Sequence, residues 1–195
     1  LVFQGVQTWS VSPEWRRRRA AVASLVRLAE GSTEIFKAHL PNALNFLETA
    51  LADASPRVQY EAVQAVGQFS LLFPDSSSQI GGRFLPLLTR GLKTETMCQR
   101  VRGHCAAAMV NMTNPETCDV ETLEPHLNAL LEALLCTLKG APVQVQSPSL
   151  VLLGLVAQVS EEAFVPYYSA FMPGVKSILT AAAGEGMEEL RGKAM

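Results

Sequence analysis

The sequence predicts an all-α chain, an α-solenoid of stacked antiparallel helix pairs, on three observations. The first is one apolar pattern that keeps returning. In residues 57–69 (RVQYEAVQAVGQF), counted from Val58, the apolar or small residues Ala62, Val63, Val66 and Phe69 stand at offsets +4, +5, +8 and +11, one face of an α-helix. The same offsets from Arg17 give Ala21, Val22, Leu25 and Leu28. From Val101 they give Cys105, Ala106, Met109 and Met112, and from Val145 they give Ser149, Leu150, Leu153 and Val156. A fifth copy opens at Leu190, with Ala194 and Met195 at +4 and +5, and there the sequence stops. The second observation is the period: the anchors 17, 58, 101, 145 and 190 are 41, 43, 44 and 45 residues apart. The third is composition, 48% hydrophobic but only 7% aromatic, which suits packed helices better than sheets. Each unit then buries its apolar face on its neighbours.

Residues 1–11 open the chain, and Leu1-Val2-Phe3-Gln4-Gly5 resembles what a specific protease leaves of an affinity-tag linker, so this stretch is read as a linker. Repeat one is residues 12–53. Its first helix starts at Ser12-Pro13, a cap residue with proline in the first turn, and ends at Gly31, read as a left-handed stop. Its second helix covers residues 33–52, with Ile35, Leu40, Leu44, Leu47 and Leu51 apolar and Pro41 near its start. Pro86, Pro125 and Pro166 fall at comparable places in the later second helices, which predicts a bend or a late start there. Repeat two, residues 54–94, pairs helices over 56–73 and 78–93 across the turn Pro74-Asp75-Ser76-Ser77. Repeat three, residues 95–140, pairs 96–113 with 120–139 across Asn114-Pro115. Repeat four, residues 141–184, pairs 142–160 with 164–183, and Pro148 predicts a kink in its first helix. Residues 185–195 then begin the incomplete fifth unit. Two antiparallel helices per 41 to 45 residues, with proline or Pro-Arg-Val opening the first, are the marks of HEAT repeats, a solenoid of right-handed superhelical sense.

Charge narrows the partners. With 16 basic and 18 acidic residues the net charge is −2, without the overall basicity that drives counterion-release binding to nucleic acid. No apolar run reaches the roughly 18 residues that span a bilayer, and no signal peptide is visible, so a membrane is not an expected partner either. The four cysteines, at 98, 105, 118 and 136, form no Cys-x-x-Cys pair, and Cys98 and Cys105, two helical turns apart, are too distant to bridge. They are expected to be reduced and mostly buried. A zinc site from His104, Cys105, Cys118 and His126 would lack the close ligand pairs such sites show. No cofactor or metal is expected.

Catalytic constellations are also missing. His39, His104 and His126 sit in separate helical segments, and there is no Gly-x-Ser-x-Gly, His-Glu-x-x-His or phosphate loop. The chain is not expected to be an enzyme. Two polar features remain. The run Arg16-Arg17-Arg18-Arg19 spans a full helical turn and so cannot all face a core; it is a solvated helix start, a contact for an acidic partner or a basic signal. On the second helix of repeat three, Glu121, Glu124, Asn128 and Glu132 are spaced by 3, 4 and 4, hence aligned on one face; Asn42, Asn45 and Glu48 make a shorter version in repeat one. Such stripes are either a solvated face or a grip for an extended basic peptide. Carboxylates take charge-assisted bonds from Lys and Arg, and Asn can hold a peptide backbone by its donor and its acceptor.

Longer motifs carry a family resemblance. Pro13-Glu14-Trp15 with Arg18 and Ala20-Ala21, Pro56-Arg57-Val58-Gln59-Tyr60 with Ala65-Val66-Gly67-Gln68, and Arg100-Val101 with His104, Asn111 and Thr113 resemble consecutive repeats of the importin-beta (karyopherin-beta) family. Phe164-Val165-Pro166-Tyr167-Tyr168, Phe171-Met172-Pro173 and Leu190-Arg191-Gly192-Lys193 point within it to the importin-five, or importin-beta-three, branch. The resemblance covers residues 12–195. It implies first helices outside and second helices lining a concave side, and a monomeric receptor shuttling between cytoplasm and nucleus. Such a receptor binds the basic localisation signal of a protein cargo, touches Phe-Gly nucleoporins and releases cargo to Ran-GTP. It also implies that this segment is central, with Ran-GTP held mainly by repeats that precede it. Glu121, Glu124, Asn128, Glu132, Asn42, Asn45 and Glu48 are the expected cargo contacts. The alternative reading is a HEAT scaffold subunit in a complex unrelated to transport.

Overall fold

In the computed structural model, which describes residues 2–181, ten α-helices and two short 3-10 turns follow one another with no strand among the described residues. In chain order they are α1 (Val2–Ser10), α2 (Trp15–Gly31), α3 (Thr33–Lys37), α4 (Leu40–Leu51), α5 (Pro56–Leu72), α6 (Ser77–Lys93), α7 (Gln99–Met112), α8 (Val120–Gly140), α9 (Val143–Ser160) and α10 (Tyr168–Ala181). The first helices α2, α5, α7 and α9 stack side by side as one layer; α4, α6, α8 and α10 form the other. The incomplete fifth unit, with Leu190 and its motif, lies outside the described residues.

The repeating register is the core. Val58, Ala62, Val63, Val66 and Phe69 are all at most 1% exposed, and of the matching residues in the other three described copies all but Arg17 and Leu28 are buried. Sequence spacing thus identified the inward face of every first helix. Close approach within this layer depends on small residues. A Cβ on Gly67 would stand 3.2 Å from the Cα of Ala108, and one on Gly103 only 2.6 Å from the carbonyl oxygen of Gln144. Pro148 explains that carbonyl: α9 runs on through the proline, which has no N–H to give to residue 144.

A second periodic device was not anticipated. The residue after each anchor donates to a backbone carbonyl at or just beyond the end of the preceding second helix: Gln59 to Asp53 O (2.8 Å), Arg102 to Leu92 O (3.0 Å) and Gln146 to Leu138 O (3.1 Å). Arg18, the equivalent in repeat one, donates to Ser12 O at 2.8 Å, just past α1. Terminal helix carbonyls have no intrahelical donor, so each clamp satisfies a group that would otherwise be bare.

Several expectations about boundaries are corrected. Residues 1–11, read as a linker, include helix α1, which packs on α2 and buries Val6. The first helix begins at Trp15, not at Ser12; the Ser12 hydroxyl instead accepts the Glu14 N–H in the preceding turn. Gly31 stays within the helix and makes no left-handed stop. The helix expected over 33–52 breaks at Ala38 and His39 into α3 and α4, with Pro41 in the first turn of α4. That break resets the helical phase: Ile35 is 72% exposed, while Phe36 is buried against the rings of Phe69 and Phe73 at 5.6 and 5.8 Å. Helix α7 starts at Gln99, three residues later than residue 96. In repeat four a 3-10 turn, Glu161–Tyr167, holds Pro166 and delays α10 to Tyr168. By contrast α6 and α8 continue through Pro86 and Pro125. The stretch Val143–Ile178 reaches a mean hydropathy of 1.4 over an 18-residue window, yet it is not one rod: α9 ends at Ser160, and Glu161 follows at φ 40°, a backbone angle that favours glycine. Cys105 and Cys118 are buried but Cys98 and Cys136 are exposed, so burial of the thiols holds for only two.

Candidate functional site

The polar surface of α4, α6 and α8 is a set of strips, one per helix, laid side by side. On α4, Asn42 and Asn45 are exposed and Glu48 is half-buried; on α8, Glu121, Glu124, Asn128 and Glu132 are all exposed. The expected stripes therefore do face outward. Between them lies a row that sequence reasoning overlooked, Arg83, Arg90 and Lys93 on α6, whose spacing of seven and three also fits one helical face.

Arg83 binds back to α4. Its guanidinium donates to Glu48 Oε1 at 2.8 Å and to Asn45 Oδ1 at 2.7 Å. The Arg83 bond holds the Glu48 carboxyl below its ordinary pKa, and the same bond raises that of Arg83. On the other side Lys93 approaches Glu132 of α8 at 3.4 Å. Thr122 donates to Ser78 at 3.1 Å, and Tyr167 donates to Asn128. Each bond links residues 35 to 44 positions apart, about one repeat. The strips are thus rungs between adjacent units as well as surface.

Three of the expected contacts remain unengaged: Asn42 on α4, and Glu121 and Glu124, exposed near the start of α8, have no ion-pair or side-chain hydrogen-bond partner among the described residues. Next to the two carboxylates a groove of about 420 Å³ between α6 and α8 is lined by Pro86, Arg90, Lys93, Pro125 and His126. Chemically the surface offers free carboxylates on α8, cations on α6 and carboxylates already bound to cations on α4. An incoming lysine or arginine could take Glu121 and Glu124 directly. At Glu48 or Glu132 it would have to displace Arg83 or Lys93. Exposed ion pairs of this kind are worth only about 0.2–1 kcal/mol each, so exchange is cheap.

A HEAT-like repeat family matches residues 15–69. Importin subunit beta-3 of Saccharomyces cerevisiae is 33% identical over 195 residues, which is all of this chain and 18% of that protein. Probable importin subunit beta-4 of Schizosaccharomyces pombe is 26% identical over 201 residues, again across the whole chain and 18% of its own length. The crystal structure of Kap121p bound to Nup53p superposes with a TM-score of 0.88 at 33% identity, covering 98% of this chain and 18% of that one. The chain spans less than a fifth of the length of the relatives it matches. Matched over its whole length at 33% identity by importin subunit beta-3 and sharing the helical fold of Kap121p, the chain belongs to the importin-beta (karyopherin-beta) family.

Proposed function

We propose that this chain is a segment of a nuclear transport receptor, and that its layer of second helices lines the concave side and takes the basic localisation signal of a protein cargo. The observation that carries this reading is the end-to-end match to importin subunit beta-3, together with a fold shared with Kap121p, a karyopherin solved in complex with Nup53p and with Pho4p. The site supports it chemically. Glu121 and Glu124 are carboxylates without partners among the described residues, one turn apart on the outward face of α8, and they can accept a lysine-rich segment with no bond there to break. Glu132, Asn128, Asn45 and Glu48 extend the track on either side through exchangeable partners. Phe-Gly nucleoporin contact, Ran-GTP-dependent release and shuttling belong to the whole receptor of which this is a part.

The test is a titration of this chain with a lysine-rich signal peptide. Replacing Glu121, Glu124 and Glu132 by Ala is expected to weaken binding about tenfold, from three surface pairs, and to flatten its salt dependence. Unchanged affinity would remove these residues from the site. A receptor containing this chain should lose the peptide when Ran-GTP is added; binding indifferent to Ran-GTP would favour a scaffold with no role in transport.

A further inference from the structure

The basic run of α2 is resolved by the structure into three paired arginines and one unpaired. Arg17 meets Glu14 at 3.3 Å, Arg18 grips Asp53 through two bonds of 2.6 and 2.9 Å, and Arg19 meets Glu61 at 2.8 Å. Arg16 has no carboxylate among the described residues; its guanidinium lies over the Trp15 ring, 4.9 Å from the centroid. Two arginines from the next repeats behave the same way. Arg57, in the first turn of α5, covers Trp15 at 4.7 Å, and Arg100, in the first turn of α7, covers Tyr60 at 4.8 Å. All three are exposed. Arg57 and Arg100 line a groove of about 510 Å³ where the starts of α2, α5 and α7 meet, together with Trp15, Pro56 and Tyr60, and Arg16 stands beside it over the Trp15 ring.

We propose that this groove, on the first-helix layer and separate from the cargo strips, binds an acidic segment of a partner protein. Arg16, Arg57 and Arg100 form a patch of uncompensated positive charge in a chain whose net charge is −2. A guanidinium held over an aromatic ring still has N–H donors to offer, and the contact restricts its motion, so less freedom is lost when a carboxylate arrives. The three helix starts add partial positive charge from their unpaired N–H groups. The ring faces are already in use: Tyr60 stacks on His104 at 4.3 Å and carries Arg100, and Trp15 carries two guanidiniums. That favours carboxylates over nucleobases, which need an open ring to stack on. Spacing fits an extended peptide. Packed helices lie about 8–10 Å apart, and a polyproline II chain rises about 3.1 Å per residue with three residues per turn, so acidic residues three apart share a face and reach successive helix starts.

The probe is a twelve-residue peptide of four Glu-Gly-Gly units, with Lys-Gly-Gly units as the control. The chain has two tryptophans, so a Trp9→Phe variant reports from Trp15 alone. The glutamate peptide is expected to shift Trp15 emission on binding, and Arg57→Glu with Arg100→Glu to weaken it about tenfold. Glu121→Ala with Glu124→Ala should leave this binding unchanged, which separates it from the cargo track. Arg57→Lys with Arg100→Lys should hold affinity within about threefold, and circular dichroism checks that each variant folds. The proposal is overturned if the glutamate peptide does not bind at low salt, if charge reversal leaves its affinity intact, if the lysine variant loses as much as the glutamate variant, or if a single-stranded oligonucleotide of equal charge binds more tightly.

Discussion

The two helix layers are joined by different chemistry. Neighbours in the first-helix layer share surface pairs such as Arg19 with Glu61, but at their closest points they meet through backbone and small residues, as where Gly103 lies under the Gln144 carbonyl and Gly67 lies against Ala108. Neighbours in the second-helix layer meet at their surface through side-chain bonds, Glu48 with Arg83 and Glu132 with Lys93. The second layer has a close approach too, at Gly81, but the group facing it is the Thr122 methyl at 2.7 Å, a side chain that can turn aside. A close-packed backbone contact cannot yield to one extra methyl, whereas an exposed ion pair can be exchanged for a ligand's at small cost. The first layer therefore fixes the stack, and the surface bonds of the second stay exchangeable.

That contrast can be broken in three ways. The largest effect is expected from Phe69→Ala, which empties the centre of a cluster made with Phe36 and Phe73 and should destabilise the chain by about 3–5 kcal/mol in urea unfolding. A loss below about 1 kcal/mol would show that the rings do not carry the first layer. Next is Gly103→Ala, whose new Cβ must push α9 away from α7; about 1–3 kcal/mol is expected, with Gly82→Ala, where nothing lies within 4 Å, as the harmless control.

The smallest effects come from comparing Asp53→Asn with Glu48→Gln as the pH is lowered. Arg18 above all, and then the Ser55 N–H, hold the Asp53 carboxyl below its ordinary value, and Arg83 does the same for Glu48. A depressed carboxyl contributes stability that is present above its unfolded pKa, about 4, and is lost as pH falls through its native value. The gap between native and Asp53→Asn should thus be constant near neutrality and close below about pH 4. For Glu48→Gln the gap should be smaller and should vanish in high salt, since the Glu48 and Arg83 side chains are 37% and 27% exposed against 10% and 21% for Asp53 and Arg18. Equal, salt-resistant gaps would mean that the bond from Arg18 of α2 to Asp53 in the turn after α4 is no firmer than the rung between α4 and α6.

How much was legible follows from where the information sits. The inward faces of α5, α7 and α9 could be read because a 3.6-residue period is a local property of consecutive residues. The outward stripes on α4 and α8 were legible for the same reason. Their partners were not: Arg83 and Lys93 stand 35 and 39 positions from Glu48 and Glu132, and nothing in the local pattern says which neighbour a strip will face. The helix break before α4 escaped notice because Ile35 and Phe36 are equally apolar. Only packing against Phe69 and Phe73 selects the second.

By itself, then, the sequence determined that this chain is a stack of helix pairs with a period of 41 to 45 residues, which side of each first helix is buried and which polar residues lie on the second helices. It did so because helical periodicity and turn chemistry act over a few residues. Tertiary structure alone decided which carboxylates are spent on neighbouring repeats and which, Glu121 and Glu124, are left open. It also decided that three of four consecutive arginines find an acid while Arg16 joins Arg57 over one tryptophan. Those outcomes depend on which repeat unit lies alongside, a distance in space that no local pattern encodes.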